Sequence, residues 1–221
     1  MPIKIHLLPL GALQTNCYIV ADTDTHEAII IDPSDEAPKI LEVVEREGYI
    51  VREILATHAH FDHILASKPV KDATQAPFRL HAADVPQLRH AQQIAEMYGI
   101  NAPEPAVHDG TVDEGTVIEV GAIKFETYFT PGHSLGHVSY VLRSEQVVFS
   151  GDCLFAGGIG RTDLPGGDYP TLMHSIFDKL VVLGDEYTVC SGHGPTTTIG
   201  EEHRGNPFLL QWLSSNWRDE S

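Results

Sequence analysis

Apolar residues along the chain fall into short runs rich in β-branched side chains, broken by Gly, Asp and Pro, and separated by stretches with helical spacing. Residues 3–9, 16–21 (NCYIVA) and 28–31 (AIII) read as three strands, the last ending at Asp32-Pro33. Residues 35–47 read as a helix: Ile40, Leu41, Val43 and Val44 give it an apolar face, acids occupy its first turn, and Gly48 ends it. Residues 52–56 form a buried strand that runs directly into Thr57-His58-Ala59-His60-Phe61-Asp62-His63. Residues 64–73 then look helical, limited or kinked by Pro69, and residues 77–81 look like another strand. Residues 82–98 are helical and polar, divided in two by Pro86. Residues 99–105 (GINAPEP) are a loop and the expected mobile segment, which either lines a substrate cleft or simply crosses the surface.

From residue 116 the pattern turns to β. Residues 116–120, 123–129, 138–142 and 147–149 read as successive strands, 151–167 as a long Gly-rich loop, and 169–183 as a helix with Leu172, Ile176, Leu180 and Leu183 on one face. Residues 187–190 are a last strand, and the tail over 200–217 is partly helical. Strands then helices, twice over, predict a layered α/β or mixed-sheet fold. No linker separates the halves and no residue-level repeat relates them, so one domain spanning residues 1–221, with two similar halves, is expected.

Composition narrows the function classes. The 221 residues are 42% apolar and 20% charged, which is ordinary for a folded chain with a sizeable core. A net charge of −17 disfavours non-specific binding to nucleic acid or an anionic membrane, both of which need clustered Lys and Arg. An anionic substrate would have to be drawn in by local positive charge, such as metal ions. Cys17, Cys153 and Cys190 are odd in number, widely spaced and free of any CxxC, which argues for a reducing compartment. No apolar run is long enough to span a membrane and the N-terminus lacks an export pattern, so the cytoplasm is expected.

The chemistry concentrates in the THAHFDH stretch, with three imidazoles and one carboxylate in seven residues. His58 and His60, at alternate positions of an extended segment, point one way, while Asp62 and His63 fall at the start of the following helix. A strand-to-helix turn can therefore aim the first pair at one metal and the second pair at another. Most single histidines are surface or hydrogen-bonded core residues, and His6, His26, His81, His90, His108, His174 and His203 are assigned to that group. Four ligand-type residues packed behind an apolar strand are different, because burying them requires a compensating cation. His133, Asp152 and His193 each stand beside Gly at the end of a predicted strand, which together is what a binuclear site on one sheet edge requires. Imidazole and carboxylate ligands suit zinc, iron or manganese, with zinc the expected ion.

These segments carry a resemblance. THAHFDH, TPGHSLGH, SGDCLFAGGIGRTD and SGHGPTT occur in the order found in the metallo-β-lactamase superfamily, and within it the chain resembles glyoxalase II-like hydrolases. The resemblance runs from NCYIV and IIIDPS to GNPFL, and it implies an αββα sandwich with the site at the sheet edges. It implies further that His58, His60 and His133 hold a first metal, that Asp62, His63 and His193 hold a second, and that Asp152 bridges them. His137 matches a family position that is usually not a ligand, and Arg161 and Asp163 look like supporting partners. The chain departs from the family at Ile64-Leu65-Ala66, where Ile-Gly-Gly is common, and at Leu135, where Pro is common. It has no room for the C-terminal helical region with which larger glyoxalase II enzymes grip glutathione, and so resembles the short bacterial type.

The implied activity is metal-dependent hydrolysis of a small-molecule thioester, S-lactoylglutathione or a related acyl thioester, by a metal-activated water. Asp62 would orient that water and accept its proton. A thiolate leaves without a strong general acid, and Cys153 reads as a small buried residue, not a nucleophile. The main alternative is an oxidoreductase resembling persulfide dioxygenases, with one iron on His58, His133 and Asp152; the sequence around His193 favours the hydrolase. A non-catalytic metal-binding module, a nuclease and a lactamase fit less well. The apolar tail at Phe208-Leu209-Leu210 with Trp212 and Trp217 packs internally or against a partner, which leaves the oligomeric state open.

Overall fold

The structure is a computed structural model that describes residues 2–216; Trp217, assigned above to the part-helical tail, lies outside the described residues. The first sheet takes its strands in chain order: β1 (Ile3–Leu10), β2 (Thr15–Asp22), β3 (Glu27–Ile31), β4 (Ile50–Leu55), β5 (Phe78–His81) and β6 (Gly110–Val112). β1, β2 and β3 pair antiparallel, and β3 to β6 pair parallel. Parallel neighbours need a crossover. Here the crossovers carry α1 (Ala37–Glu47), then α2 (Phe61–Ile64) and α3 (Ser67–Thr74), then α4 (Val85–Leu88) and α5 (Ala91–Met97).

The second sheet is built from β7 (Val117–Val120), β8 (Ile123–Phe129), β9 (Val138–Leu142), β10 (Val147–Gly151), β13 (Thr188–Ser191) and β14 (Thr197–Thr198). Its first four strands form an antiparallel meander, β13 lies parallel to β10, and β14 closes the edge antiparallel to β13. Between β10 and β13 run a small hairpin of β11 (Leu154–Phe155) and β12 (Gly158–Ile159), and then α6 (Tyr169–Ser175). The chain ends in α7 (Ile199–Gly205) and α8 (Pro207–Asn216).

The alternation of side chains gives the layer order. Tyr18, Val20, Ile29, Ile31 and Leu55 of the first sheet meet Ile118, Phe125, Tyr140 and Phe149 of the second in a central core. The intervening positions face outward: Ile19, Ile30 and Ile54 pack on Ile40, Val43, Val70 and Ala95 of the first sheet's helices. Val141, Val148 and Val189 do the same with Leu172, Ile176, Ile199 and Leu209. Strands covered on both faces are apolar throughout, which is why β2 and β9 read as unbroken runs. The result is the helix–sheet–sheet–helix sandwich.

Several boundaries differ from the sequence expectation. α1 starts after Asp35 and Glu36, with Glu36 in the left-handed region at φ 47°, so those acids lie outside its first turn. The break in the segment after His63 falls at Leu65–Ala66, and Pro69 sits in the first turn of α3, where its missing N–H costs nothing. Pro86 likewise starts α4 instead of breaking a helix. The predicted helix over 169–183 is α6 followed by a π turn over Ile176–Leu180 and a 3-10 turn over Val181–Leu183. β6, the β11–β12 hairpin and β14 were not foreseen, being two or three residues long. Leu209 is buried and Trp212 half-buried, whereas Phe208 and Leu210 are exposed.

Candidate metal centre

Every candidate ligand lies just beyond the C-terminal end of a strand, on the edge where the two sheets meet. β4 ends at Leu55, so His58 and His60 sit on an extended loop past the strand rather than within it. Asp62 and His63 occupy the single turn of α2. His133 follows β8, Asp152 follows β10, and His193 follows β13. A register shift between Phe149 and Gly151 bends β10 and aims Asp152 inward. Gly151, at φ 48°, has no room for a Cβ, which would meet Thr57 Oγ1 at 2.5 Å and His137 Nε2 at 2.8 Å.

The fold gathers all seven residues into one cluster. His58, His60 and His133 can present ligand atoms to one point, as can Asp62, His63 and His193, and as can His58, His63 and Asp152. The His63 Nε2 atom lies 3.6 Å from Asp62 Oδ2 and 3.4 Å from Asp152 Oδ1. His133 Nε2 is 3.5 Å from Asp152 Oδ2, and His193 Nε2 is 3.3 Å from Asp62 Oδ2 and 3.6 Å from Asp152 Oδ2. The Asp152 carboxylate thus reaches both groups of imidazoles.

Hydrogen bonds at the far side of three rings fix their tautomers. His63 Nδ1 donates to Asp32 Oδ2 at 2.9 Å, and His133 Nδ1 donates to the Arg161 carbonyl at 2.8 Å. Thr57 Oγ1 gives its proton to Asp32 Oδ2 and so accepts from His58 Nδ1 at 3.0 Å. Each ring therefore turns a bare Nε2 lone pair toward the cluster. The Nε2 atoms of His58, His63 and His133 and Asp152 Oδ1 are buried without any hydrogen-bond partner. Unpartnered buried acceptors aimed at one point, beside two carboxylates, fit a divalent cation and little else.

The electrostatics agree. Burial, then the neighbouring rings, hold His58 well below the ordinary imidazole pKa, and the same causes push His60 down to about 3, so both are neutral. Burial would raise Asp62, but the charge on His63 and the bond to His193 pull it down to about 2. Asp152 is held well below the usual carboxylate range, because His63, His133 and His193 outweigh its burial. Burial works against a proton on His63, yet Asp152, Asp62 and Asp32 raise it well above its ordinary value.

Sequence reasoning passed over the residues that hold this set. Asp32, buried at φ 50°, accepts from Thr57 N, Thr57 Oγ1 and His63 Nδ1. Thr15 Oγ1 donates to Asp62 Oδ2 at 2.8 Å. Asn16 ties the His193 loop through its N–H to the Gly192 carbonyl and its amide to the carbonyls of Ser191 and Gly194. Asp84 spans the loops of His58–His60 and His133. The signals for Asp32 are its place at the end of an apolar strand and within the IIIDPS segment. His137 accepts from Asp152 N at Nε2 and pairs with Thr130 at Nδ1, so both its nitrogens are engaged. Arg161 contributes its backbone carbonyl, while its guanidinium forms an exposed pair with Asp163. Among the described residues, none of His6, His26, His81, His90, His108, His174 and His203 joins a metal-type group. Ile100, from the GINAPEP loop, borders a small cleft with Leu13, Phe61 and Asp62.

Two sheets flanked by helices, with histidines and aspartates converging on their shared edge, define a class of protein built to hold metal ions. The family model of the metallo-beta-lactamase superfamily matches residues 10–193, and the chain belongs to that superfamily. It is 40% identical to a probable metallo-hydrolase, YqgX, of Bacillus subtilis, over 93% of this chain and 97% of that one. It is 36% identical to the hydroxyacylglutathione hydrolase GloC of Haemophilus influenzae, over 93% and 98%. Similar solved structures include the BLEG-1 B3 metallo-beta-lactamase (TM-score 0.87, 40% identity, 93% and 99% covered) and TTHA1623 in a di-iron-bound form (0.85, 40%, 92% and 100%). ETHE1 from Myxococcus xanthus is more distant (0.76, 28%, 96% and 90%). Among the described residues no helix is long and apolar enough to cross a membrane.

Proposed function

We propose that this chain is a binuclear metal-dependent thioesterase of the glyoxalase II type, acting on S-lactoylglutathione or a related small acyl thioester. The observation that carries it is the double ligand set: three bare, buried Nε2 atoms and two carboxylates arranged around two points. His58, His60 and His133 would hold one ion, Asp62, His63 and His193 the other, and Asp152 both. Zinc suits these ligands, and the di-iron neighbour supports iron as the alternative to manganese or zinc. A bound metal pair supplies Lewis acidity that lowers the pKa of water and polarises a carbonyl. Asp62, with one oxygen held by Thr15, orients the attacking water and takes its proton. The leaving thiolate needs no strong general acid. Burial raises the thiols of Cys17 and Cys153 and pushes Cys190 up to about 12, so none of them serves as a nucleophile. Three buried free cysteines suit a reducing compartment, the cytoplasm.

The thioester preference draws on the GloC relative, which matches nearly end to end. The likeness to ETHE1 keeps a one-iron oxidoreductase on His58, His133 and Asp152 as the second reading. The complete Asp62–His63–His193 group favours two ions, since a single iron on the other three leaves it idle. Turnover of S-D-lactoylglutathione by metal-replete protein tests the choice. A metal-dependent kcat/KM above about 10⁴ M⁻¹s⁻¹ supports the thioesterase. Oxygen uptake with glutathione persulfide, or faster turnover of a β-lactam, would replace it.

A further inference from the structure

Asp84 is a buried carboxylate that belongs to neither ligand loop. It closes the short 3-10 turn Ala82–Asp84 that follows β5, and it is 1% exposed. Its Oδ2 accepts from the Ala59 N–H and the Ser134 hydroxyl, each at 2.9 Å, and its Oδ1 accepts from the Gly136 N–H at 2.6 Å. Ala59 stands between His58 and His60, and Ser134 follows His133. One carboxylate therefore staples together the two segments that carry all three imidazoles of the first group. The close approach is built in: a Cβ on Gly136 would meet Asp84 N at 2.6 Å and Asp84 Oδ1 at 2.8 Å.

The second group is fixed by different atoms. Asp32 holds His63, Thr15 holds Asp62, and Asn16 holds the loop of His193. None of these touches Ser134 or Gly136, and Asp84 touches neither Asp62 nor His193. The two groups share Asp152, the chain between His58 and His63, and Asp32, which accepts from His63 directly and meets His58 through Thr57 Oγ1; Asp84 takes no part in that link.

We propose that Asp84 is a positioning residue for the first ion site alone, holding His58, His60 and His133 in register, so that this site can be weakened through Asp84 without weakening the second. This rests on the two-ion reading above. Acceptors of this kind behind metal ligands are worth about 10- to 100-fold in metal affinity. A carboxylate that merely held the fold together would weaken both sites, or neither.

The test is zinc binding by metal-stripped protein, titrated against a chromophoric chelator. Asp84→Asn keeps the shape but cannot accept at both ends of the side chain. It is made in two backgrounds: His193→Ala, which leaves the first site, and His60→Ala, which leaves the second. The expected result is a loss of about 10- to 100-fold in the His193→Ala background and a change within about threefold in the His60→Ala background. Equal losses in both, or no loss in the first, would overturn the proposal. Should Asp84→Asn not fold, Ser134→Ala removes a single donor and is expected to give a smaller loss with the same selectivity. Thr15→Ala should show the reverse selectivity. A wild-type chain that binds only one zinc ion refutes the two-ion reading. Asp84 is then judged on that ion, where an affinity unchanged by Asp84→Asn overturns the proposal and a weakened one upholds it.

Discussion

At the scale of single residues, Asp152 and Asp32 do different work with the same carboxylate. Asp152 faces the Nε2 atoms of His63, His133 and His193 at 3.4 to 3.6 Å, within reach of both imidazole sets. On the proposed two-ion reading, Asp152→Ala should drop the metal content to one ion per chain or none and cut turnover by more than about 100-fold. Two ions and full turnover in that variant, by elemental analysis and a thioester assay, would remove it from the bridging role. Asp32 works from behind, accepting from three buried donors. Asn also tolerates the left-handed backbone at that position, so Asp32→Asn isolates the hydrogen bonds from the strain. The amide cannot satisfy all three donors, and we expect a loss of about 1–3 kcal/mol in urea unfolding. An unchanged midpoint would mean that the site relaxes around the amide. The ligands were legible in the sequence because His and Asp at strand ends beside Gly form a spacing pattern. Asp32, Asp84 and Thr15 were not, because a hydrogen bond to a residue some 25 to 50 positions away leaves no local trace.

Among the elements, legibility followed length and periodicity. β8 and β9 match their sequence limits, since alternation or continuous burial runs through every residue. The hairpin β11–β12 and β14 have two residues per strand, too few for any period to show. Prolines were misread in one consistent way. Pro69, expected to limit or kink a helix, and Pro86, expected to divide one, both sit in first turns, where a helix has no use for the missing N–H. The helix over residues 169–183 kept its apolar face, with Leu172, Ile176 and Leu180 all buried, but its hydrogen bonding changes from α to π at Ile176, which side-chain spacing does not report. Its start is set by Asp168, whose side chain accepts from the Thr171 N–H at 2.9 Å. Asp168→Ala should cost about 1 kcal/mol and lower the melting temperature by about 2–4 °C. The backbone bond from Asp168 N to the Gly132 carbonyl survives the change, so metal content should stay at the wild-type value. A parallel loss of metal would show that the cap reaches His133 through Gly132.

For the whole molecule, the centre is where the two halves of the chain meet. His58, His60, Asp62 and His63 come from the half that builds the first sheet, and His133, Asp152 and His193 from the half that builds the second. The central apolar core joins the same halves with its polar atoms satisfied, the Tyr18 and Tyr140 hydroxyls donating to the carbonyls of Ser191 and Ala56, whereas the buried acceptors at the edge have no protein partner. Metal-stripped protein should therefore remain folded but melt lower. A ligand that binds only the folded state at a free concentration of 100 Kd adds about 2.7 kcal/mol per site. In a chain of this length one occupied site then raises the melting temperature by about 5–10 °C, and two raise it further. Zinc should give this in scanning calorimetry, and magnesium, which prefers oxygen ligands to imidazole, should give much less. The chain's net charge of −17 supplies an internal control. A cation bound loosely to the acidic surface stabilises less as sodium chloride is raised, because exposed charges more than about 10 Å apart are screened at 0.1 M salt. An ion held at the sheet edge, where His58, His63 and His133 are buried, keeps its effect. Stabilisation by zinc that disappears in salt, or that survives His58→Ala undiminished, would place the bound ions on the surface and not at the sheet edge.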